Sequence, residues 1–131
     1  MKLLLDTHIW LWSLLEPLRL SRRVTKALED QGNELWLSPI SIWELVVLTE
    51  KGRVKLDASV DEWVRESAKG MSLKEAPLTH EVALETRHIV LPHRDPADRF
   101  LAATARVFGL TLVTADQHLL ALKGVSTLPS R

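Results

Sequence analysis

Residues 95–116 read DPADRFLAATARVFGLTLVTAD, and the way this stretch divides decides the fold. Asp95 followed by Pro96 is a helix start: a capping side chain, then a residue whose fixed φ and missing amide proton suit the first helical position. Leu101, Ala102 and Ala105 then share one helical face, and the pattern runs through Phe108 to a terminating glycine, Gly109. A strongly apolar strand at 110–114 follows, with Asp116 just beyond its end and a short helix after that. Helix, glycine, buried strand is one unit of a parallel α/β sheet.

The same alternation runs outward in both directions. Residues 2–5 form an apolar strand ending at Asp6, and 7–15 a short helix stopped by Pro17. Ser21 caps a helix reaching Gln31, with Gly32 as terminator, and 34–37 is a second strand. Ser38-Pro39 repeats the cap-then-proline start and opens a helix to Lys51, before Gly52. Ser59 starts a helix to Lys69, ended by Gly70; 73–76 is a third strand, and Thr79 caps a helix to Arg87. Residues 125–128 close the chain with a last strand. The expected architecture is α/β: a three-layer sandwich with a central, mostly parallel sheet flanked by helices.

The chain has 131 residues, the size of one domain, and we expect residues 1–131 to form a single one. With no cysteine, disulfide frameworks, zinc ribbons and thiol chemistry are excluded, and a reducing cytoplasm is the compartment such a chain suits. No apolar run approaches the roughly 18 residues of a membrane span. The opening MKLLLDTHIWLWSLL has the look of a secretory signal, but Asp6 and His8 interrupt it and no small-residue cleavage site follows, so it reads as mature structure.

Four acids stand where acids are costly or well placed. Ligands of open α/β sheets bind at the carboxyl ends of strands, where neighbouring connections diverge. Asp6 and Asp116 each follow a strand; either could equally cap the next helix. Glu44 falls on the apolar stripe of its helix, with Ile40, Ser41, Val47 and Leu48 as one-turn neighbours. An unpaired carboxylate there costs several kcal/mol, so Glu44 has either a functional role or an arginine partner. Asp98 lies on the packed face shared with Leu101, Ala102 and Ala105, whereas Asp95 reads as the cap. Four carboxylates gathered in one crevice need cations, and an oxygen donor set without cysteine favours Mg²⁺ or Mn²⁺ over zinc.

Charge is balanced at 17 basic and 17 acidic residues, yet removing those four acids leaves 13 acidic residues and a basic surplus. Its densest groups are Arg19, Arg22, Arg23 and Lys26, and Lys51, Arg53 and Lys55, both read as solvated helix faces. Affinity for nucleic acid should therefore be modest and salt-sensitive.

Four segments carry a resemblance: Leu-Leu-Asp-Thr-His at 4–8, Ser-Ile-Trp-Glu-Leu at 41–45, the run Asp-Pro-Ala-Asp-Arg-Phe-Leu-Ala-Ala-Thr-Ala from Asp95, and Leu-Val-Thr-Ala-Asp at 112–116. In this order and spacing, across residues 1–128, the chain resembles PIN-domain proteins, and more narrowly the VapC-type toxin ribonucleases of toxin–antitoxin pairs. The resemblance implies a metal-binding catalytic cluster of Asp6, Glu44, Asp98 and Asp116, with Asp95 as an additional acid. It implies that Thr7, Ser41 and Thr114 orient a carboxylate or a metal-bound water, and that Arg99 meets substrate phosphate or a neighbouring acid. The implied activity is metal-assisted hydrolysis of RNA phosphodiesters. The implied partners are a small antitoxin covering the acidic groove and a second copy of the chain.

Tryptophan supplies interface area, and Trp10, Trp12, Trp43 and Trp63 are the candidates. Trp43 reads as core, and Trp10 and Trp12, two apart, cannot share a helix face. His8, His93 and His118 lie beside the acidic segments and read as local hydrogen-bonding residues. A phosphatase using Asp6 as nucleophile would need a second aspartate where His8 stands, and no glycine-rich loop follows the first strand for a nucleotide. The remaining alternative is a non-catalytic PIN-like domain that binds RNA or protein.

Overall fold

The structure, a computed structural model, describes residues 1–93 and 95–131. Strand β1 (Lys2–Leu5) leads into helix α1 (Thr7–Leu15), which gives way at Pro17 to a 3₁₀ turn, Pro17–Arg19. Helix α2 (Arg22–Glu29), strand β2 (Glu34–Leu37) and helices α3 (Pro39–Glu50) and α4 (Val60–Gly70) follow. Strand β3 (Lys74–Glu75), helix α5 (His80–Glu85) and a second 3₁₀ turn, Thr86–His88, precede helix α6 (Pro96–Phe108). Strand β4 (Thr111–Thr114), helix α7 (Gln117–Leu120) and strand β5 (Thr127–Pro129) complete the described order.

The five strands form one sheet in the order β3-β2-β1-β4-β5, and every neighbouring pair is parallel. The α/β sandwich expected from the alternation is thus present, with a sheet parallel throughout. Strand β1 is central: Leu3 pairs with Leu35 on one side and Thr111 on the other. Both faces are covered. Leu3, Leu5 and Val113 join a core with Ile9, Trp10, Val24 and Leu45 from α1, α2 and α3. Leu4 and Leu112 point the other way, into a second core with Val82, Leu101, Ala102 and Leu119. Burial on both faces explains why β1 and β4 read as continuous apolar runs rather than alternating ones.

The capping signals set the helix starts. Ser21, Ser38, Ser59, Thr79 and Asp95 each accept a hydrogen bond from a first-turn amide. Gly109 takes the left-handed conformation, φ 64°, that ends α6 and turns the chain into β4. Differences gather at the sheet edges. β3 keeps only two paired residues of the expected 73–76, both exposed. β5 starts at Thr127 rather than Val125, because Val125 packs against the second core just after the Gly124 turn. Pro129 is tolerated in β5 because that strand is an edge, where a missing amide proton breaks no inner ladder.

Trp43 corrects the expectation that it is core: it is 53% exposed. At 100° per residue it lies across α3 from Ser41 and Leu45, the two buried residues of that helix. Trp10 is fully buried, edge-on to Trp63 at 5.3 Å, with Nε1 donating to Ser67 Oγ at 2.8 Å. Trp12, on another face of α1, is only partly buried.

Candidate active site

In the strand order β3-β2-β1-β4-β5, the chain leaves β1 towards β2 on one side and β4 towards β5 on the other. The crevice between the carboxyl ends of β1 and β4 is therefore the switch point of the sheet. A pocket of about 280 Å³ opens there, lined by Asp6, His8, Trp12, Glu44, Asp95, Asp98, Ala115 and Asp116. All five candidate acids reach it. No lysine or arginine is among those lining residues.

Asp6 occupies the cap position of α1 but makes no side-chain cap bond. Instead the Thr114 hydroxyl donates to its Oδ2 at 2.7 Å and itself accepts the Asp116 amide at 3.0 Å. Because that amide fills the acceptor side of the hydroxyl, the Thr114 proton is aimed at Asp6. Asp116 does cap: its Oδ1 accepts the His118 and Leu119 amides at 2.7 and 3.3 Å, leaving the second oxygen for the pocket. Asp95 caps α6 through the Ala97 amide at 3.0 Å.

Glu44 has no arginine partner among the described residues. Its Oε1 hydrogen-bonds Thr7 Oγ1, which lies 2.8 Å from the buried Ser41 Oγ. One hydroxyl has one proton, so with Glu44 ionised Thr7 donates to the carboxylate and Ser41 to Thr7. Three carboxyls are pushed above their ordinary range. Burial raises Asp6 and Glu44, against the hydrogen bonds from Thr114 and Thr7. Burial, then repulsion from Asp95, Asp6, Asp116 and Glu44, pushes Asp98 up to about 8.

His93 stands closer to the chemistry than its sequence reading, a local hydrogen-bonding residue, suggests. Among the described residues, ligand atoms of His93, Asp98 and Asp116 lie within 4.8 Å of one another, close enough to share one ion. His93 Nδ1 accepts the Asp95 amide at 3.3 Å, so the neutral ring carries its proton on Nε2, 3.4 Å from Asp98 Oδ2. Its ring also stands edge-on to His118, at 5.1 Å. In this arrangement His93 holds Asp98 locally, and ligation through Nε2 requires the other neutral tautomer, with the ring proton on Nδ1. The one sequence signal was its place just ahead of Asp95-Pro96.

Arg99 does not reach the pocket. One residue beyond Asp98 it points a quarter-turn round the helix, and its Nη2 donates to the Thr86 carbonyl at 2.8 Å. Among the described residues it makes no ion pair with a pocket acid; with His93 and Pro96 it lines a separate groove.

The donor set suits a hard divalent cation: carboxylate oxygens crowded and half-desolvated, with no lysine or arginine among the described lining residues. The PIN domain profile matches residues 3–125. The chain belongs to the PIN-domain family. It is 37% identical over 119 residues to Ribonuclease VapC22 of Mycobacterium tuberculosis, covering 88% of each chain. Its fold is similar to VapBC2 from Rickettsia felis, solved bound to a promoter DNA fragment, with a TM-score of 0.70 at 15% identity over the whole of both chains. DNA-bound VapBC from Salmonella typhimurium aligns at 0.68 and 17% identity over 98% of each. Among the described residues of this PIN-domain chain, no helix is long and apolar enough to cross a membrane.

Proposed function

We propose that this PIN-domain chain is a divalent-metal-dependent endoribonuclease, the toxin of a toxin–antitoxin pair. The observation that carries the reading is the acidic pocket at the switch point, lined by Asp6, Glu44, Asp98 and Asp116 with no lysine or arginine among the described lining residues. The 37% identity to a ribonuclease supports the reaction class, and the complexed relatives support an antitoxin partner.

Asp6, Glu44, Asp98 and Asp116 would hold Mg²⁺ or Mn²⁺, with Asp95 at the rim. When bound, such a cation supplies an acidified water for attack on phosphorus and offsets charge building on the phosphate oxygens. The rest is positioning by this chain. Thr114 keeps Asp6 in one orientation, Ser41 and Thr7 do the same for Glu44, and the α7 cap fixes Asp116. His93 Nε2, 3.4 Å from Asp98 Oδ2, steadies that carboxyl. No nucleophilic side chain is needed. The partly buried Trp12 and the exposed Trp43 offer aromatic area beside the pocket and on α3 for an antitoxin or a second copy. An RNA substrate puts the activity in the cytoplasm.

The test is cleavage of a labelled RNA panel by the purified chain in EDTA, Mg²⁺ and Mn²⁺, beside Asp98→Asn and Glu44→Gln. Metal-dependent cleavage lost in both variants is the expected result. RNA binding with no cleavage under any metal would leave a non-catalytic PIN-like domain.

A further inference from the structure

The two basic groups of the sequence, one around Arg19 and one around Arg53, lie more than thirty residues apart in the chain. The fold brings one arginine from each into a single groove of about 290 Å³. This groove shares His8 and Trp12 with the acidic pocket, so the two are neighbouring compartments of one cleft. Its other polar walls are Arg19, Arg53 and Glu16, over an aliphatic floor that includes Leu48.

Arg19 is held in place there. Its guanidinium carbon sits 4.3 Å from the Trp12 ring centroid, and Nη1 lies 3.4 Å from Glu16 Oε2. Its side chain nevertheless keeps 55% of its surface in solvent, so donors remain free. Trp12 in turn stacks on His8 at 5.7 Å, making a ladder from the acidic pocket to the guanidinium. Arg53 is exposed and makes no ion pair among the described residues. A guanidinium fixed on an aromatic face loses little freedom when its planar fork takes a phosphate.

Charge chooses the occupant. A strand whose scissile phosphate enters a pocket of five acids is repelled except through bound cations, so its neighbouring phosphates need positive charge close by. We propose that Arg19 and Arg53 form a phosphate subsite that receives the nucleic-acid strand next to its scissile phosphate, with Trp12 as the platform that orients Arg19. This rests on the ribonuclease reading for the direction of the strand.

The test is binding rather than cleavage, so that failure of the nuclease reading and failure of the subsite are told apart. A fluorescent 2′-O-methyl RNA oligonucleotide, which resists cleavage, is titrated by anisotropy into the wild type, Arg53→Ala, Arg19→Ala, the double variant and Lys26→Ala, in Mg²⁺ over a KCl series. Lys26 removes the same charge from the same basic segment but does not line the groove. The double variant should bind about tenfold more weakly. Its log Kd should depend less steeply on log salt, by about 0.7 for each phosphate no longer neutralised by an arginine. Lys26→Ala should stay within twofold of wild type. Wild-type affinity and salt slope in the double variant would overturn the subsite and leave the groove to a polypeptide partner. An equal loss in Lys26→Ala would reduce the effect to net charge, overturning it as well. Arg53→Ala keeps the test sound if stripping the guanidinium from the Trp12 ring unsettles Arg19→Ala.

Discussion

At the scale of single residues, the acidic pocket depends on hydroxyls as much as on acids. Thr114 satisfies two groups at once, giving its proton to Asp6 and accepting the Asp116 amide. Thr114→Val keeps the shape but leaves a buried carboxyl and an amide without their partner, at a cost of about 1–3 kcal/mol. We expect a lowered urea midpoint with unchanged m-value, and weaker metal binding by calorimetry. Thr114→Ser should recover most of both, and a valine variant as stable as wild type would contradict the bridging role. The acids themselves were legible in the sequence because each stood at a strand end or on a packed helix face. The hydroxyl network was legible only as proximity. That Thr114 faces Asp6, 108 residues away, depends on the parallel register of β1 and β4, which no local pattern encodes. The pairing of His93 with Asp98 was hidden for a similar reason: it is made by a loop path, not by a helical or strand period.

Elements were the most readable level, since a cap, a proline or a glycine acts within four residues of itself. The helix starts at Ser21, Ser38, Ser59, Thr79 and Asp95 follow from such signals. Edge strands were read less well, because β3 and β5 are set by their neighbours more than by their own residues. Trp43 marks another limit: residue type suggested core, while the helix phase set by Ser41 and Leu45 turns it outward. Trp43→Ala should change stability by no more than about 0.5 kcal/mol. Trp10→Ala removes a fully buried ring and its bond to Ser67, and should cost about 3–5 kcal/mol. Chemical denaturation of the two variants side by side checks the assignment, and similar losses would mean that Trp43 packs against something. Gly109→Ala belongs here too. Nothing lies within 4 Å of an added Cβ, so the cost is that of the positive φ alone, about 1–2 kcal/mol.

For the whole molecule, the sheet order places the carboxyl ends of its two most buried strands together, and the acids gathered there oppose folding until a cation arrives. Asp98 makes this measurable. Its pKa rises from 3.8 to about 8 on folding, so between those values the folded chain keeps a proton that the unfolded chain has released. Unfolding then releases a proton, and stability falls as pH rises, by about 1.4 kcal/mol per pH unit for this one group. Below pH 4 both states are protonated and the group contributes nothing; above pH 8 both are ionised and the penalty is complete. In EDTA, the urea midpoint should therefore drop between pH 5 and pH 8. Saturating Mn²⁺ should remove most of that drop at the alkaline end, adding about 2.7 kcal/mol at a hundred times its Kd. Asp98→Asn cannot ionise, so its midpoint in EDTA should vary less with pH and exceed wild type at pH 8, with little response to Mn²⁺. A wild-type midpoint that holds level from pH 5 to 8 without metal would mean that Asp98 is already neutralised from within the chain, and the case for a cation in the pocket would lose its physical basis.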